Sequence, residues 1–300
     1  MSEKTVYTVS PGGFCSGVRG ALEIFQEARG ARKETIFVLN ELVHNSRVRQ
    51  NMIAQGAVFV KSPDEVPDGS TILFGAHGVG KEVENKALEK SLDIIDACCP
   101  RVKKLHREAA AVLPENALVI FGNPDHPEVK GVAGHARTKH VYIVRSIEDI
   151  ASLPTVLPHP LLLCQTTRDH LEIEAFTQKL KTLYPDLTAN GGVCNAVFRR
   201  QQAVEKVIPF VDAVIIVGSP HSSNANRMRD VARRMGKAAF LVDSATELPD
   251  LAPYARLGLG AGASTPDEAV GEVLKYLQTQ GYLQKQLPSE HGEVSQEEDR

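Results

Sequence analysis

The sequence predicts an α/β protein of three pseudo-threefold-related lobes, each a small, mainly parallel sheet covered by helices. Three observations predict it. A long-period repeat occurs three times, short apolar runs alternate with amphipathic helical runs inside each copy, and polar residues cluster where the apolar runs end.

The first copy opens with Val9-Ser10-Pro11-Gly12-Gly13-Phe14-Cys15 and a helical run over 18–28. A strand over 35–39 follows, then a polar stretch ending Val43-His44-Asn45, a helix, a strand over 57–60 and Ser62-Pro63-Asp64-Glu65. Its last strand, 71–74, runs into Gly75-Ala76-His77-Gly78. The second copy leads with Asp96-Ala97-Cys98-Cys99-Pro100 and a helix. It continues with a strand over 117–121, Asp125-His126-Pro127-Glu128, a strand over 141–144, Ser146-Ile147-Glu148-Asp149, and Leu161-Leu162-Leu163-Cys164 running into Gln165-Thr166-Thr167. The third leads with Gly192-Val193-Cys194, then a strand over 213–217 into Ser222-Ser223-Asn224, a strand over 239–242 with Ser244-Ala245-Thr246-Glu247, and Leu257-Gly258-Leu259 into Gly262-Ala263-Ser264. From Cys15 to His44, Cys99 to His126 and Cys194 to Ser222 the offsets are 29, 27 and 28 residues. To the second polar end, at His77, Thr166 and Ser264, they are 62, 67 and 70. A Ser-x-x-Glu/Asp element in each copy reads as a capping-box helix start. The predicted lobes are 1–94, 95–190 and 191–283, with a polar, acidic tail over 284–300 predicted to be disordered.

Composition narrows the function classes. A formal net charge of −3 over 300 residues lacks the basic excess of a nucleic-acid binder. Residues 1–9 hold no apolar signal segment and no stretch reaches membrane-span length, so a soluble, cytoplasmic protein is expected. The five cysteines, at 15, 98, 99, 164 and 194, are odd in number and contain no C-x-x-C pair. In a reducing compartment that pattern points to metal binding or burial rather than disulfides.

Three equivalent lobes bring three equivalent cysteines together, and Cys15, Cys99 and Cys194 occupy the lead positions. Three thiolates on a cubane leave one iron without a protein ligand, whereas zinc needs a fourth donor, for which His126 or His44 is available. The cluster is favoured over zinc. Cys164 ends an apolar run and reads as a buried strand residue; Cys98 reads as packing, with Cys99 at the mouth of the helix after Pro100. His44, His77 and His126 stand at equivalent strand ends, which favours function over capping. Gly260-Ala261-Gly262-Ala263-Ser264-Thr265-Pro266-Asp267-Glu268 is a glycine-rich loop entering a helix, with Thr265 read as N-cap and Glu268 as closing the box. Together with Ser222-Ser223-Asn224 it offers backbone N–H groups to a diphosphate-sized anion. Glu128 is the sole carboxylate at these strand ends and the natural proton donor.

On these residues the chain resembles the LytB-type reductases over nearly all of 5–280. The matching signatures are Gly13-Phe14-Cys15-Ser16-Gly17-Val18, Val43-His44-Asn45, Ala76-His77-Gly78, Asp96-Ala97-Cys98-Cys99-Pro100 and His126-Pro127-Glu128-Val129. They continue with Gln165-Thr166-Thr167, Ser222-Ser223-Asn224 with Asn226-Arg227, and Ala261-Gly262-Ala263-Ser264-Thr265-Pro266. The resemblance implies a trefoil of three lobes around a [4Fe–4S] cluster held by Cys15, Cys99 and Cys194. It implies reductive dehydroxylation of (E)-4-hydroxy-3-methylbut-2-enyl diphosphate to isopentenyl and dimethylallyl diphosphates, the last step of the non-mevalonate isoprenoid pathway, with electrons from ferredoxin or flavodoxin. By position, His44, His77, His126, Ser222, Ser223, Asn224 and Ser264 would hold the diphosphate, and Thr166 and Glu128 would lie at the substrate hydroxyl. The chain departs from the family pattern at Val197 and Phe198, where a Thr is usual at 197, and at Cys98, where a Thr is usual. Two other enzyme readings stay open, a paralogous iron–sulfur reductase of another small phosphorylated substrate and a zinc hydrolase with three Cys and one His. A third reading, a cluster-based redox sensor, has no use for the anion residues or Glu128.

Overall fold

Strands of two to six residues, set between helices, make up the computed structural model, which describes residues 3–287. The first stretch holds β1 (Thr5–Thr8), α1 (Ser16–Ala31), β2 (Ile36–Leu39), α2 (Ser46–Ala54), β3 (Ala57–Val60), β4 (Thr71–Phe74) and α3 (Lys81–Glu89). Next come β5 (Asp93–Asp96), α4 (Pro100–Ala111), β6 (Leu118–Phe121), α5 (Pro127–His135), β7 (Val141–Val144), β8 (Leu161–Cys164) and α6 (His170–Leu183). The last stretch is β9 (Thr188–Ala189), α7 (Asn195–Val207), β10 (Ala213–Val217), α8 (Ser223–Arg234), β11 (Ala238–Val242), β12 (Arg256–Ala261), α9 (Asp267–Thr279) and β13 (Leu283–Lys285). No described helix is long and apolar enough to cross a membrane.

Every pairing among the described strands is parallel, and the strands form three sheets, ordered β3-β2-β4-β5, β7-β6-β8-β9 and β11-β10-β12-β1-β13. The sheets are offset from the sequence repeat by one strand. β5, which leads to Cys99, pairs with β4; β9, which leads to Cys194, pairs with β8; β1, which leads to Cys15, pairs with β12. Each lead strand therefore joins the sheet of the preceding copy, and the first joins that of the last. The expected boundary at 94/95 falls inside β5, and residues 5–8 belong to the sheet of the third copy. The sheet also extends past 283, because β13 pairs with β1; residues 288–300 of the expected tail lie outside the described residues.

Two compact units divide the chain, one of residues 1–16, 44–46 and 195–300, the other of 17–43 and 47–194. In the first, β10 is buried throughout because it is covered on both faces. Val214 and Ile216 pack with Val204, Val207, Met228 and Val231 of α7 and α8, while Ile215 and Val217 pack with Ala269, Val273 and Leu277 of α9. In the second unit β6 is divided likewise, Leu118 and Ile120 facing Leu105, Val129 and Val132, Val119 and Phe121 facing Phe176 and Leu180. Cys164 lies in the latter cluster, at 1% exposure. The three Ser-x-x-Glu/Asp elements open single 3-10 turns rather than α-helices, and the reciprocal box is incomplete in each. Ser62 caps Asp64 N–H, Asp149 accepts from Ser146 N–H, and Glu247 accepts from Asp243 N–H.

Within the second unit α3 and α5 meet backbone to backbone, since a Cβ on Gly134 would stand 2.8 Å from Gly80 Cα. A helical glycine replaced by alanine ordinarily gains about 0.5–1 kcal/mol. At Gly134 the backbone contact reverses the sign. We expect Gly134→Ala to lose about 1–3 kcal/mol in denaturant unfolding, the usual cost of overpacking. Gly271→Ala in α9, where a Cβ meets nothing within 4 Å, is expected to gain stability. A stabilised Gly134→Ala protein would show that the helices separate without cost.

Candidate active site

Each lead cysteine is placed by the same backbone bond. Cys15 N–H donates to Ala263 O, Cys99 N–H to Ala76 O and Cys194 N–H to Thr166 O, all at 3.0 Å. The acceptor is in every case the residue two beyond the third strand of a copy, after β12, β4 and β8. In every case, too, the cysteine stands at the N-terminal end of a helix. Cys99 is the N-cap of α4, and Cys15 and Cys194 immediately precede α1 and α7. The positive end of a helix dipole therefore lies at each lead cysteine. All three are half-buried. Cys98 and Cys164 differ: both are buried, and burial pushes their thiols up to about 12.

Local geometry before Cys15 demands glycine. Gly13 has φ 68°, and a Cβ there would fall 2.0 Å from Asp267 Oδ1. The buried Arg200 of α7 ties the same loop down, donating from Nη2 to Gly13 O at 2.8 Å and from Nη1 to Ala196 O at 2.7 Å. Arg200 and Asp267 had no role in the sequence reading.

The sheet register also realigns the polar ends. His44, His126 and Ser222 each stand five residues past the end of the first strand of their copy, as expected. Three residues past the last strand stand His77, Thr167 and Ser264. Thr166, which counting from the cysteines had aligned with His77 and Ser264, is equivalent instead to Ala76 and Ala263. Loop lengths between cysteine and strand differ among copies, and strand ends are the truer ruler. Gln165 connects this end to the neighbouring one, its Oε1 accepting Asn123 N–H at 3.0 Å and its Nε2 donating to Thr167 Oγ at 2.9 Å.

In the second unit Glu128 is 2% exposed, and Thr166 holds both its carboxyl oxygens. Thr166 N–H donates to Oε1 at 2.6 Å and the Thr166 hydroxyl donates to Oε2 at 2.8 Å. Burial raises the Glu128 pKa, against the opposing pull of the two bonds from Thr166. His126, the N-cap of α5, accepts Glu128 N–H at Nδ1 over 3.2 Å, which leaves its ring proton on Nε2. The His77 ring meets the His126 ring edge-on, with centroids 5.3 Å apart.

The first unit carries His44, Ser222, Ser223, Asn224 and Ser264. Ser222 Oγ caps α8 by accepting Ala225 N–H, and Ser264 Oγ donates to His44 O at 3.2 Å. Asn224 is 4% exposed; its Nδ2 reaches only the Met228 thioether at 3.8 Å, and its Oδ1 is buried without a partner. Turning the amide over would offer its N–H groups in place of that orphaned oxygen. Thr265 does not cap α9. Its buried hydroxyl donates to Val217 O at 2.8 Å, Pro266 takes the cap position without a side-chain bond, and no capping box forms. Gly218 and Gly262 leave the room this needs, since a Cβ on either would crowd Thr265 Oγ and Ala225 Cβ. Val197, in the first turn of α7, is buried.

Comparison with known proteins bears on the whole of this arrangement. The model of the family described as LytB protein matches residues 6–278. The 4-hydroxy-3-methylbut-2-enyl diphosphate reductase of Methylibium petroleiphilum is 38% identical over 282 residues, 92% of this chain and 85% of the relative. The protein of the same name from Methylococcus capsulatus is 37% identical, over 92% of this chain and 91% of its own. Among solved structures, the E-1-hydroxy-2-methyl-but-2-enyl-4-diphosphate reductase from Plasmodium falciparum superposes with a TM-score of 0.91 at 29% identity, covering 98% of this chain and 95% of that one. A structure of (E)-4-hydroxy-3-methyl-but-2-enyl diphosphate reductase, described as the terminal enzyme of the non-mevalonate pathway, gives 0.66 at 28% identity over 92% and 99%. With a family match over residues 6–278 and relatives 37–38% identical over most of both chains, the chain belongs to the LytB family.

Proposed function

We propose that the chain is a 4-hydroxy-3-methylbut-2-enyl diphosphate reductase, converting its substrate to isopentenyl and dimethylallyl diphosphates. The observation that carries this reading is the buried Glu128 held at both oxygens by Thr166, a carboxyl whose pKa burial raises, beside a hydroxyl. The names of the curated relatives and solved structures support the substrate.

Cys15, Cys99 and Cys194 are the residues that would hold a [4Fe–4S] cluster. Their fit is supported by three copies of one backbone bond, three helix N-termini and half-burial, in contrast to the buried thiols of Cys98 and Cys164. When bound, such a cluster supplies electrons and a Lewis-acidic iron without a protein ligand. The other side chains bind and protonate. His44, His77, His126, Ser222, Ser223, Asn224 and Ser264 would hold the diphosphate, and the structural register adds Thr167 to that set. The orphaned Asn224 amide fits an anion acceptor once turned. Loss of the substrate hydroxyl breaks one C–O bond, consumes two electrons and two protons, and releases water. For transfer the Thr166–Oε2 bond runs the other way from the one seen: with Oε2 protonated, Oε2–H donates to Thr166 Oγ and passes its proton there, while the Thr166 hydroxyl, turned away from Glu128, gives its proton to the leaving oxygen. The electrons come from a reduced carrier protein, ferredoxin or flavodoxin.

Two outcomes test the reading. Anaerobically purified protein is expected to contain about four irons and four sulfides per chain. Ser at Cys15, Cys99 or Cys194 removes or cripples that content, whereas Ser at Cys98 or Cys164 leaves it in place; bleaching by Cys98→Ser and not by Cys99→Ser would reverse the ligand assignment. Glu128→Gln keeps the shape and the bond from Thr166 N–H but carries no transferable proton. We expect it to assemble the cluster, bind substrate and lose about 10²–10⁴-fold in kcat. A raised pKa keeps Glu128 protonated to higher pH than an ordinary carboxyl, and the protonated form is lost as pH rises through that value. The wild-type kcat profile therefore descends on its alkaline side, and the Glu128→Gln profile lacks that limb. A variant turning over within a few-fold of wild type, with the limb intact, assigns the proton to another group.

A further inference from the structure

Among the three helices that begin at a lead cysteine, only α4 presents an exposed basic face. Exposed positions of α1 mix Arg19 with Glu23 and Glu27, and the side chains of α7 beyond Asn195 are buried or half-buried. α4 carries four basic residues and one acidic residue, in a chain whose acidic residues outnumber its basic ones. Its inner face, Val102, Leu105 and Ala109, is buried in the core of the second unit. Arg101, Lys104 and Arg107 lie three apart on the outer face and are exposed. Arg101 and Arg107 have no acidic partner among the described residues, and Lys104 reaches Glu108 only at 3.8 Å. At 1.5 Å of rise per residue, all three lie within about 12 Å of Cys99 along the helix axis. A solvated helix face is the ordinary meaning of such a stripe. Here a second feature adjoins it, a pocket of about 250 Å³ in the same unit whose lining includes Cys98 and Arg107, with Lys103 paired to Asp96 and His135 facing Glu84. A basic stripe on the helix whose N-cap is Cys99, beside a recess lined by the adjacent Cys98, matches a partner that is acidic and must approach that cysteine.

We propose that the α4 face, Arg101, Lys104 and Arg107 with the adjoining pocket, is where an acidic electron-carrier protein docks to deliver electrons through the Cys99 side of the site. The proposal rests on the function proposed above. Each docked carrier is oxidised by one electron, and two encounters supply the two electrons that, with two protons, reduce one substrate and release one water. Attraction between the basic face and an acidic carrier speeds the encounter and weakens with salt.

The test uses cluster-loaded protein and two readouts. Binding of an acidic ferredoxin, and in a parallel arm flavodoxin, is measured by biolayer interferometry at low and high salt. Turnover is measured with the same carrier and with a small reduced dye. The triple variant Arg101→Glu, Lys104→Glu, Arg107→Glu is expected to weaken carrier binding about tenfold or more, with loss of most of the salt dependence. Carrier-driven turnover falls in parallel, while dye-driven turnover stays within about twofold of wild type. A control, Lys179→Glu with Lys181→Glu on α6, matches most of the change in net charge away from the patch and is expected to bind normally. Unchanged carrier binding in the triple variant, or equal weakening in the control, overturns the docking site. Absence of dye-driven turnover in the wild type would instead count against the proposed function, leaving the binding comparison to stand on its own.

Discussion

One backbone hydrogen bond, made three times, positions most of what matters in this protein. The N–H of a lead cysteine donates to the carbonyl two residues past a third strand, at 3.0 Å in each copy. A neutral bond of this kind contributes only about 1 kcal/mol to stability. Its weight is geometric. It fixes the cysteine backbone against a strand end whose own place is set by the sheet, and it does so at the mouth of a helix. The next residue beyond the accepting carbonyl is then His77, Thr167 or Ser264, so the lead cysteines and these strand-end side chains are placed by the same contact. The sheets supply the rest of the constraint, because each lead strand pairs with the last strand of the preceding copy. Parallel sheets covered on both faces tolerate little register slip.

The chemistry then depends on a contest over one carboxyl. Burial of Glu128 disfavours its charge, and two bonds from Thr166 favour it. Burial is the larger effect and raises the pKa, beside a hydroxyl able to donate or accept. The neighbouring His126 is committed through Nδ1 to the Glu128 N–H, so its Nε2 is restricted to donating. In this way one helix N-terminus, that of α5, carries an imidazole N–H and a buried carboxyl two residues apart. The Gln165 bridge between Asn123 and Thr167 ties the two strand ends that this arrangement spans.

Much of this was legible in the sequence because apolar strands and polar strand ends repeat with little drift. The sheets, the lead cysteines and the first strand-end set of His44, His126 and Ser222 follow from that pattern. The second set was displaced by one residue at Thr166, because counting from a cysteine runs through loops of unequal length. Thr265 was misread for a related reason: Ser, Thr and Pro before a helix signal a cap, but a buried carbonyl, Val217 O, competed for the hydroxyl and won. The pairing of β1 with β12 is a contact between the two ends of the chain, and local periodicity carries no information about it. Gly13 illustrates the same limit, since its requirement is imposed by Asp267, far away in sequence.

The central claim is that these positions together make a reductase of 4-hydroxy-3-methylbut-2-enyl diphosphate rather than a cluster-bearing or metal-bearing relative with another task. The most direct measurement is anaerobic incubation of cluster-loaded protein with that substrate and an excess of reduced dye, followed by product analysis. The account requires isopentenyl and dimethylallyl diphosphates to appear with two electrons consumed per molecule of product. Intact cluster, bound substrate and no allylic product would contradict it.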